Sequence, residues 1–387
     1  MTVTRRLSLL GILFGLIAAL VLPVQSAGAA PAKTTDWSTA TVNSIMSRYP
    51  SASKLGGWGY QVGFALYGAY LVYQRTHDTK YLTYIENWVD TYVDASGNIN
   101  QSFNSLDSMQ AGNLLVLLYQ QTKQAKYKTA ADKIRARFNT YPRTSDGGMW
   151  HSTGLTGQLW LDGTYMSMPF LLRYGNEFND ATYAQSQAAS AVLIDASHLQ
   201  APNGLLYHAY DENSISWQAP GTQHSPEFWC RAIGWYGMTT VTTVDNLPAN
   251  YPQRPQILTI LRNLVAGMAK YQDPKTGRWF QVVDKGSVAG NWTETSCSAM
   301  YTYVIDKSVK NGWVSPAYHA NAVRGYNGVM AEVSKESNGL VDIKNICEGT
   351  DVGNLAYYLA RPKATNDPHG LGAFLVMNEE YHGNPLS

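Results

Sequence analysis

Apolar and polar positions along the chain follow a loose pattern that occurs five times. Each repeat begins with a glycine-containing turn and a short β-like stretch: SGNINQSF, GGMWHST, NGLLYHAY, TGRWFQVV and NGLVDIK. An apolar run of helical length follows each one: LDSMQAGNLLVLLYQ, LDGTYMSMPFLLRYG, CRAIGWYGMTTVTTV, TSCSAMYTYVIDKSV and TDVGNLAYYLA. A sixth run, WGYQVGFALYGAYLVYQ, precedes the first turn. Self-similarity of this kind is typical of folds assembled from one recurring unit.

Several apolar runs are followed by a more polar helix that keeps an apolar stripe. In DATYAQSQAASAVLIDA, for example, Tyr183, Ala188 and Val192 keep roughly helical spacing. An apolar helix paired with an amphipathic one forms a hairpin with an inner and an outer member. Six such hairpins bury their inner helices by closing into a ring, and the low charge of these helices favours closure over an open superhelix. The pattern therefore predicts an all-α fold, a six-hairpin (α/α)6 barrel.

The start of the chain has a different pattern. Arg5 and Arg6 precede an almost wholly apolar stretch at 7–24, and small residues follow at 27–29. This is the layout of a secretory signal peptide. An uncleaved membrane anchor would need a similar apolar length, but the small residues at its end favour cleavage. We expect a signal peptide at 1–29, a single barrel domain at 30–387, and a secreted or periplasmic protein.

Composition narrows the class of partner. Taking Arg5 and Arg6 from the 29 basic residues leaves 27 against 28 acidic ones. A nearly neutral mature chain argues against nucleic acid or an anionic membrane as a partner. Charged residues make up only 15% of the chain, which holds 26 Tyr and 11 Trp. Aromatic faces with polar rims suit sugars, although aromatic residues also fill cores. We expect a monomer.

The cysteines give little guidance on their own. Cys230, Cys297 and Cys347 show no CxxC spacing. In an exported protein one pair can bridge and leave a free thiol, but the favoured interpretation is that they are small buried hydrophobes. The sequence has no zinc pattern, no HxH and no HExxH. We expect neither a metal nor a cofactor.

Parallel inner helices would bring their first residues to one end of the barrel. The starts of the six runs carry Tyr60, Asp107, Asp162, Arg231, Glu294 and Asp351. The residues four positions after each turn glycine are Gln101, His151, His208, Gln281 and Ile343. We expect these groups to converge on a funnel walled by Trp150, Trp160, Tyr207, Trp229 and Trp235. Such a concavity is the default site for a small ligand.

The acids at these starts have a structural and a chemical interpretation. An Asp at a helix start commonly caps free N–H groups, and we favour that interpretation for Asp351. Asp107 and Asp162 face the predicted funnel. Desolvation and a second carboxylate raise the pKa of one member of such a pair. One protonated and one ionised acid is what acid/base chemistry on a sugar requires.

The histidines and the arginine also have two interpretations each. His151 and His208 are either satisfied core residues or ligand contacts at equivalent positions of successive repeats. Arg231 either belongs to a buried salt bridge or pairs with a ligand carboxylate or with Asp162.

Four motifs in order resemble glycoside hydrolase family 105, the unsaturated rhamnogalacturonyl hydrolases: WHSTGLTGQLWLDGTYMSMPFLLRYG, FWCRAIGWYGM, WTETSCSAMYTYVI and NDPHGLGAFLVMNEEY. The resemblance covers residues 41–381, nearly the whole mature chain. The related unsaturated glucuronyl hydrolases of family 88 share the barrel and the paired acids. The six-hairpin barrel that the resemblance implies agrees with the repeat.

The resemblance implies an enzyme that removes a C4–C5 unsaturated uronic acid from the non-reducing end of pectin-derived, rhamnogalacturonan-type oligosaccharides made by polysaccharide lyases. Asp162 would protonate C4 and, once ionised, take a proton from the water that adds to C5. Asp107 would hold a ring hydroxyl and help keep Asp162 protonated. The implied sugar contacts are Tyr60, His151, Trp160, His208, Arg231 and Trp235.

Two departures from the family pattern affect the predicted substrate. Ser152 stands where some members carry a basic residue, and the arginine motif reads RAIGW instead of RGNGW. The alternatives are a glucuronyl hydrolase for ulvan, arabinogalactan or glycosaminoglycan fragments, an inverting glycosidase, and a carbohydrate-binding protein on the same barrel. An inverting enzyme needs a second acid about 6.5–9.5 Å from the first, for which Asp107 is the candidate. The intact Asp107/Asp162 pair argues against a binding protein.

Overall fold

The computed structural model describes residues 1–2, 35–213 and 217–382. Backbone contacts divide the chain into two units, Met1–Thr35 and Asp36–Ser387. The predicted signal peptide lies, after its first two residues, outside the described part of the chain. No helix within the described ranges is long and apolar enough to cross a membrane.

Six helices form an inner ring and six lie outside it. The inner helices are α2 (Tyr60–Thr76), α4 (Gly112–Thr122), α6 (Leu161–Phe178), α8 (Cys230–Asn246), α10 (Thr295–Lys310) and α13 (Pro368–His382). The outer helices are α1 (Trp37–Arg48), α3 (Thr79–Val89), α5 (Ala125–Arg137), α7 (Ala181–Leu199), α9 (Arg254–Lys270) and α11 (His319–Met330). Each inner helix contacts the next, and α13 packs on α2. The predicted all-α six-hairpin (α/α)6 barrel is confirmed.

The two classes of helix bury different fractions of their surface, as the apolar pattern predicts. Every residue of α6 from 161 to 172 is buried. In α5 the buried residues are only Tyr127, Ala130, Ala131 and Ile134, a stripe at helical spacing. A helix that is apolar all round must lie inside, whereas a striped helix needs one partner face. The hydrophobic pattern thus assigns α6 and α5 to their layers.

The sixth inner helix is not the one that the repeat predicted. In the run TDVGNLAYYLA only α12 (Leu355–Leu359) is helical, and Pro362 follows too soon for a longer helix. Its cap is Asn354, whose side chain accepts the Tyr357 N–H at 3.1 Å. The predicted capping role of Asp351 is therefore wrong. The sixth inner position belongs to α13, from the motif NDPHGLGAFLVMNEEY.

Short strands connect successive hairpins at the end where the inner helices begin. Four antiparallel pairs form: β1 (Gln158–Trp160) with β2 (Ala209–Asp211), β3 (Trp279–Phe280) with β4 (Thr293–Glu294), β5 (Val333–Lys335) with β6 (Val341–Ile343), and β7 (Ile346–Cys347) with β8 (Lys363–Ala364). In the first pair, Leu159 lies opposite Tyr210. These pairs set the positions of the side chains that flank the helix starts.

Three of the five residues four positions after the turn glycines have a shared backbone role. A helix start leaves N–H groups without partners, and neither α6 nor α8 has a side-chain cap. A carbonyl from the following repeat accepts one such N–H instead. These bonds join Leu106 to His151 (3.0 Å), Leu161 to His208 (3.1 Å) and Cys230 to Gln281 (3.1 Å). In the fifth repeat Thr295 bonds to Asn345 at 2.9 Å. The accepting carbonyl is therefore two residues after Ile343, the position that the count from the turn glycine selects. The apolar Ile343 does not have this backbone role.

A disulfide joins Cys230 to Cys297, with their Cα atoms 5.7 Å apart. It connects the first turns of α8 and α10. Cys347 is free and buried. The favoured expectation of three unbridged cysteines is therefore wrong for the first two. The pairing depends on ring order, because α8 and α10 are adjacent inner helices although 67 residues separate the two cysteines.

A Cys230→Ala/Cys297→Ala double variant should lose about 2–4 kcal/mol of unfolding free energy, because the bridge closes a long loop in the unfolded chain. Urea unfolding without reductant measures the change. Cys347→Ala is the matched control for loss of a buried sulfur. Equal stability of the double variant and the wild type would contradict the prediction.

Ring closure requires glycine where α2 meets α13. A Cβ atom on Gly372 would lie 2.4 Å from Cδ1 of Phe64 and 2.9 Å from its backbone carbonyl carbon. On the other helix, a Cβ on Gly68 would lie 2.5 Å from Cβ of Leu375. Neither clash can be relieved by the far end of a flexible side chain. The two helices therefore pack backbone to backbone at these positions.

We expect Gly372→Ala to destabilise the fold by about 1–3 kcal/mol, because overpacking forces the two helices apart. Thermal and urea unfolding report the loss. Gly57→Ala is the control, since a Cβ there meets nothing within 4 Å. A Gly372→Ala variant as stable as the wild type and Gly57→Ala would contradict the prediction that close packing at Gly372 limits ring closure.

Candidate active site

A cavity of about 340 Å³ opens where the inner helices begin. Its volume suits a small ligand. It is lined by Tyr60, Ser105, Asp107, His151, Ser152, Leu155, Trp160, Asp162, Gly349, Thr350 and Asp351. Five of the eight predicted site residues are among these. The other three, His208, Arg231 and Trp235, lie behind the cavity wall.

Asp162 is held by a histidine from the next repeat. It lies in the first turn of α6, whose N-cap position is Trp160. Its Oδ2 lies 3.0 Å from Nε2 of His208, which is fully buried. The Nδ1 atom of His208 lies 2.7 Å from the hydroxyl of Tyr358. The side chain of Asp162 is thus part of a buried polar chain, which capping of α6 would not require.

Asp107 lies across the cavity with the second histidine. It sits in a 3-10 turn, Leu106–Ser108, and its N–H donates to the Ser105 hydroxyl at 3.2 Å. Its carboxylate lies 3.7 Å from Nε2 of His151. The His151 ring stacks on Trp160, with centroids 4.3 Å apart and planes 7° apart. Both acids and both predicted histidines therefore meet at one place.

The surroundings shift the two carboxyl groups in opposite directions. Burial raises the pKa of Asp107, and the nearby carboxylates of Asp162 and Asp351 add to the rise. Burial acts in the same sense on Asp162, but the hydrogen bond from His208, together with the electrostatic effects of His208, His151 and Arg231, outweighs it and lowers the pKa of Asp162. Asp162 is thus the more acidic of the two in the free protein, and the implied role of Asp107 in keeping it protonated stays a prediction.

Arg231 forms no ion pair with any carboxylate in the described residues, and it does not bond to Asp162. Its guanidinium is buried and donates to the carbonyls of Cys347 and, at 2.7 Å, Glu348. It also lies 5.0 Å from the ring centroid of Trp229. A buried guanidinium bonded only to neutral groups has no direct counter-ion, although, against the effect of burial, the carboxylates of Glu294 and Asp367 are near enough to help raise its pKa. The salt-bridge interpretation is therefore wrong, and Arg231 contributes a positive field behind the cavity.

Two of the five predicted aromatic wall residues, Trp229 and Trp235, are core residues. Trp235 is buried, stacks on Tyr165 with centroids 4.7 Å apart, and meets the Tyr60 ring edge-on at 6.3 Å. It therefore supports Tyr60 from behind. Of the five predicted wall residues only Trp160 lines the cavity, and those that do not are Trp150, Tyr207, Trp229 and Trp235. Sequence position alone does not tell which side of a helix start faces inward.

Two polar residues at the start of α13 were missed. His369 is buried, and its Nε2 lies 2.6 Å from the Tyr60 hydroxyl. Its Nδ1 bonds to Asp367. Burial and the charge of Arg231 lower the pKa of His369 to about 4, so it is neutral at pH 7. Asp367 followed by Pro368 is a helix-start signal, but the repeat pattern predicts the last inner helix at 350–360.

One group of potential metal ligands occurs in the described ranges, away from the cavity lining. Sulfur and carboxylate atoms of Cys230, Glu294 and Cys297 lie within 4.8 Å of one another. The sulfurs are bonded to each other. Glu294 caps α10, accepting the N–H groups of Ser296 at 3.0 Å and Cys297 at 2.6 Å. These ligand atoms are already in use, and Glu294 has a structural role.

The two cavity acids should affect stability with opposite pH dependence. Because folding raises the pKa of Asp107, ionising it costs stability as pH rises through its folded pKa. Because folding lowers the pKa of Asp162, its stabilising contribution is lost as pH falls through its folded pKa. As pH rises from about 3 to about 7, the stability of Asp107→Asn relative to the wild type should therefore increase, and that of Asp162→Asn should decrease. Urea unfolding across this range measures both differences; slopes of the same sign would contradict the assignment.

The chain matches the family model described as Glycosyl Hydrolase Family 88 over residues 37–384. A solved glycoside hydrolase from family 105 of C. acetobutylicum ATCC 824 is 33% identical, with a TM-score of 0.86, covering 90% of this chain and 100% of that one. A 24.9 kDa protein in the picA locus of Rhizobium radiobacter is 28% identical over 235 residues, covering 56% of this chain and 97% of the relative.

A more distant structure shares the fold. It is an unsaturated glucuronyl hydrolase from Bacillus sp. GL1, described as responsible for the degradation of glycosaminoglycan. It is 13% identical with a TM-score of 0.69, covering 89% of this chain and 95% of that one. At this identity the similarity concerns the barrel and not the substrate.

Proposed function

Because the chain belongs to the group formed by glycosyl hydrolase family 88 and the related family 105, we propose that it removes C4–C5 unsaturated uronic acid. Its substrates are pectin-derived, rhamnogalacturonan-type oligosaccharides, from which it takes the sugar at the non-reducing end. The observation that carries the proposal is the placement of Asp162. It lies at the cavity surface, bonded to buried His208 and facing a second acid, Asp107. A single well-placed acid is sufficient for hydration of an enol ether.

The reaction uses Asp162 first as an acid and then as a base. Its proton goes to C4 of the sugar, which leaves an oxocarbenium-like cation at C5. The ionised Asp162 then takes a proton from the water that adds to C5. The resulting hemiketal opens and releases the neighbouring sugar. This route differs from displacement at the glycosidic carbon by two carboxylates.

Binding of the substrate itself helps to protonate Asp162. Asp162 has a lowered pKa and must gain a proton before it can act. A uronate carboxylate entering the cavity adds negative charge, which disfavours ionisation of Asp162 and raises its pKa. Asp107, whose pKa burial raises, holds its proton more strongly than Asp162 and lines the same cavity, where it can hydrogen-bond to a ring hydroxyl.

The positive field behind the cavity supports an anionic ligand. Arg231 carries a buried charge without a carboxylate partner among the described residues. A substrate carboxylate on the near side of the loop at 347–349 would compensate this charge. His151 and Trp160, stacked in the wall, present an aromatic and polar surface to the sugar ring. Tyr60, whose hydroxyl bonds to His369, also lines the cavity.

We further propose that the protein is exported and acts as a monomer, with no cofactor. The basic start, apolar stretch and small residues at 1–29 support export. Extracellular lyases release the unsaturated oligosaccharides, so an exported hydrolase would meet its substrate there. The alternatives differ in the sugar: a glucuronyl hydrolase for ulvan, arabinogalactan or glycosaminoglycan fragments, or a barrel that binds sugars without turnover.

Asp162→Asn should lower kcat by about 10²–10⁴-fold, the usual contribution of general acid/base catalysis. The assay follows the loss of ultraviolet absorbance of the enol ether in lyase-generated unsaturated disaccharides. Asp351→Asn is the control, because it removes a carboxylate from the same cavity without a bond to His208, and its loss should be far smaller. Equal losses in both variants would contradict the role of Asp162.

The choice of disaccharide separates the alternatives. Turnover of the unsaturated rhamnogalacturonan disaccharide supports the proposed substrate, and turnover only of glucuronyl products of ulvan, arabinogalactan or glycosaminoglycan lyases supports the second candidate. Hydrolysis restricted to saturated oligosaccharides overturns the hydration mechanism. Binding without turnover of any of them identifies a sugar-binding protein.

A further inference from the structure

The hydrogen-bond chain that ends at Asp162 begins at a tyrosine outside the cavity. Tyr358, in α12, is fully buried. Its hydroxyl accepts the N–H of Gly353 at 3.1 Å and lies 2.7 Å from Nδ1 of His208. Nε2 of the same ring faces Oδ2 of Asp162 at 3.0 Å. Three buried polar groups are therefore connected in a line from α12 to the carboxylate.

The number of hydrogens available to Tyr358 and His208 decides between the two tautomers of His208. A tyrosine hydroxyl has one hydrogen and two lone pairs, and a neutral histidine has one N–H and one bare nitrogen. If Tyr358 donates to Nδ1 of His208, then Nε2–H points at Asp162 and both contacts are satisfied. If Nδ1–H donates instead, the hydroxyl hydrogen has no acceptor among the described residues, and a bare Nε2 faces the carboxylate. The first arrangement makes one more hydrogen bond.

We propose that Tyr358 is a positioning residue that holds His208 in the tautomer whose Nε2–H faces Asp162, and so favours the ionised carboxylate. A protonated Asp162 either carries its hydrogen on Oδ1 and still accepts Nε2–H at Oδ2, or donates to Nε2 and requires the other tautomer of His208. Tyr358 disfavours the second form, and in the first form the bond from Nε2–H is weaker than its bond to the charged carboxylate. Both effects favour ionised Asp162. This role deepens the proposed function and rests on it, because it sets when Asp162 can act as acid or as base.

The same hydroxyl is bonded to the segment that lines the cavity. Gly353, which donates to Tyr358, lies two residues after Asp351 at the cavity surface. The N–H of Asp351 donates to the neighbouring hydroxyl of Tyr357 at 2.9 Å. Two adjacent tyrosines thus hold one loop, but only Tyr358 also touches His208. A ligand that moves this loop would change the tautomer preference, whereas Tyr357 has no bond to the histidine.

Other titratable groups face this chain from the surrounding elements. They come from the starts of α2, α8 and α13 and from the loops before α4, α6 and α8. These groups are Tyr60, Asp107, His151, Glu227, Arg231 and His369. All of them are retained when the Tyr358 hydroxyl is removed. A change in the titration of Asp162 on that removal would therefore come from the tyrosine.

The first test is the pH dependence of kcat/KM for Tyr358→Phe on an unsaturated uronyl disaccharide. The reaction needs protonated Asp162, so kcat/KM falls as pH rises through its pKa. Without the hydroxyl the protonated form becomes easier to reach, and this alkaline limb should move up by about one pH unit. Tyr357→Phe is the matched control and should keep the wild-type limb. Loss of activity with an unmoved limb would show a merely structural role and overturn the proposal.

The second test does not depend on turnover. Nitrogen NMR of histidine-labelled protein, with His208→Gln used to assign the signals, reports which ring nitrogen carries hydrogen. Wild type should show Nε2–H and bare Nδ1 on His208, and Tyr358→Phe should populate Nδ1–H at pH values where Asp162 is protonated. A wild-type protein with Nδ1–H overturns the proposal. If no disaccharide is hydrolysed, the proposed function fails while this measurement still decides the role of Tyr358.

A conservative replacement covers the case in which Tyr358→Phe does not fold. Incorporating 3-fluorotyrosine at position 358 keeps the ring and makes the hydroxyl a stronger donor. The preference for Nε2–H should then increase, and the alkaline limb should move down. A limb that moves up or stays in place with this substitution contradicts the proposed direction of the bond.

Discussion

The close packing of α2 against α13 is the constraint on which the rest of the structure depends. Six apolar helices bury their surfaces only if the last one meets the first, and here glycines allow the two backbones to approach. At the end of the same contact, Tyr60 bonds to His369 at 2.6 Å. Ring closure therefore also forms one wall of the cavity, because the chain ends of the barrel meet there.

Closure of the ring buries several charged and titratable groups together, and the hydrogen bonds that stabilise them determine the chemistry of the site. The inner helix starts converge, so carboxylates, histidines and an arginine are desolvated together. Arg231 is satisfied by backbone carbonyls, while Asp162 takes its hydrogen bond from His208. Burial acts to raise the pKa of both cavity acids, and only at Asp162 do a hydrogen bond from His208 and nearby positive charge outweigh it. Neighbours, and not residue type, separate their proton affinities.

Much of this site could be located from the repeat. Counting from the turn glycines selected His151 and His208, and the structure gives the physical reason: their carbonyls accept the first N–H groups of inner helical segments. The repeat failed in its last unit, where a short run at 350–360 resembled an inner helix. As a result His369 was missed, and Tyr358 was placed in a predicted inner helix without a role, although its hydroxyl bonds to His208.

The sequence by itself determined the layers of the barrel, the number of hairpins and the cluster of acids and histidines, because these depend on periodicity and on repeat register. Tertiary structure alone decided which inner helix closes the ring, which cysteines bridge, and which aromatic side chains face the cavity. It also decided that Asp162 is the more acidic member of the pair. Those outcomes depend on contacts between residues far apart in the chain, such as Asp162 with His208 and Cys230 with Cys297, and no local pattern encodes such contacts.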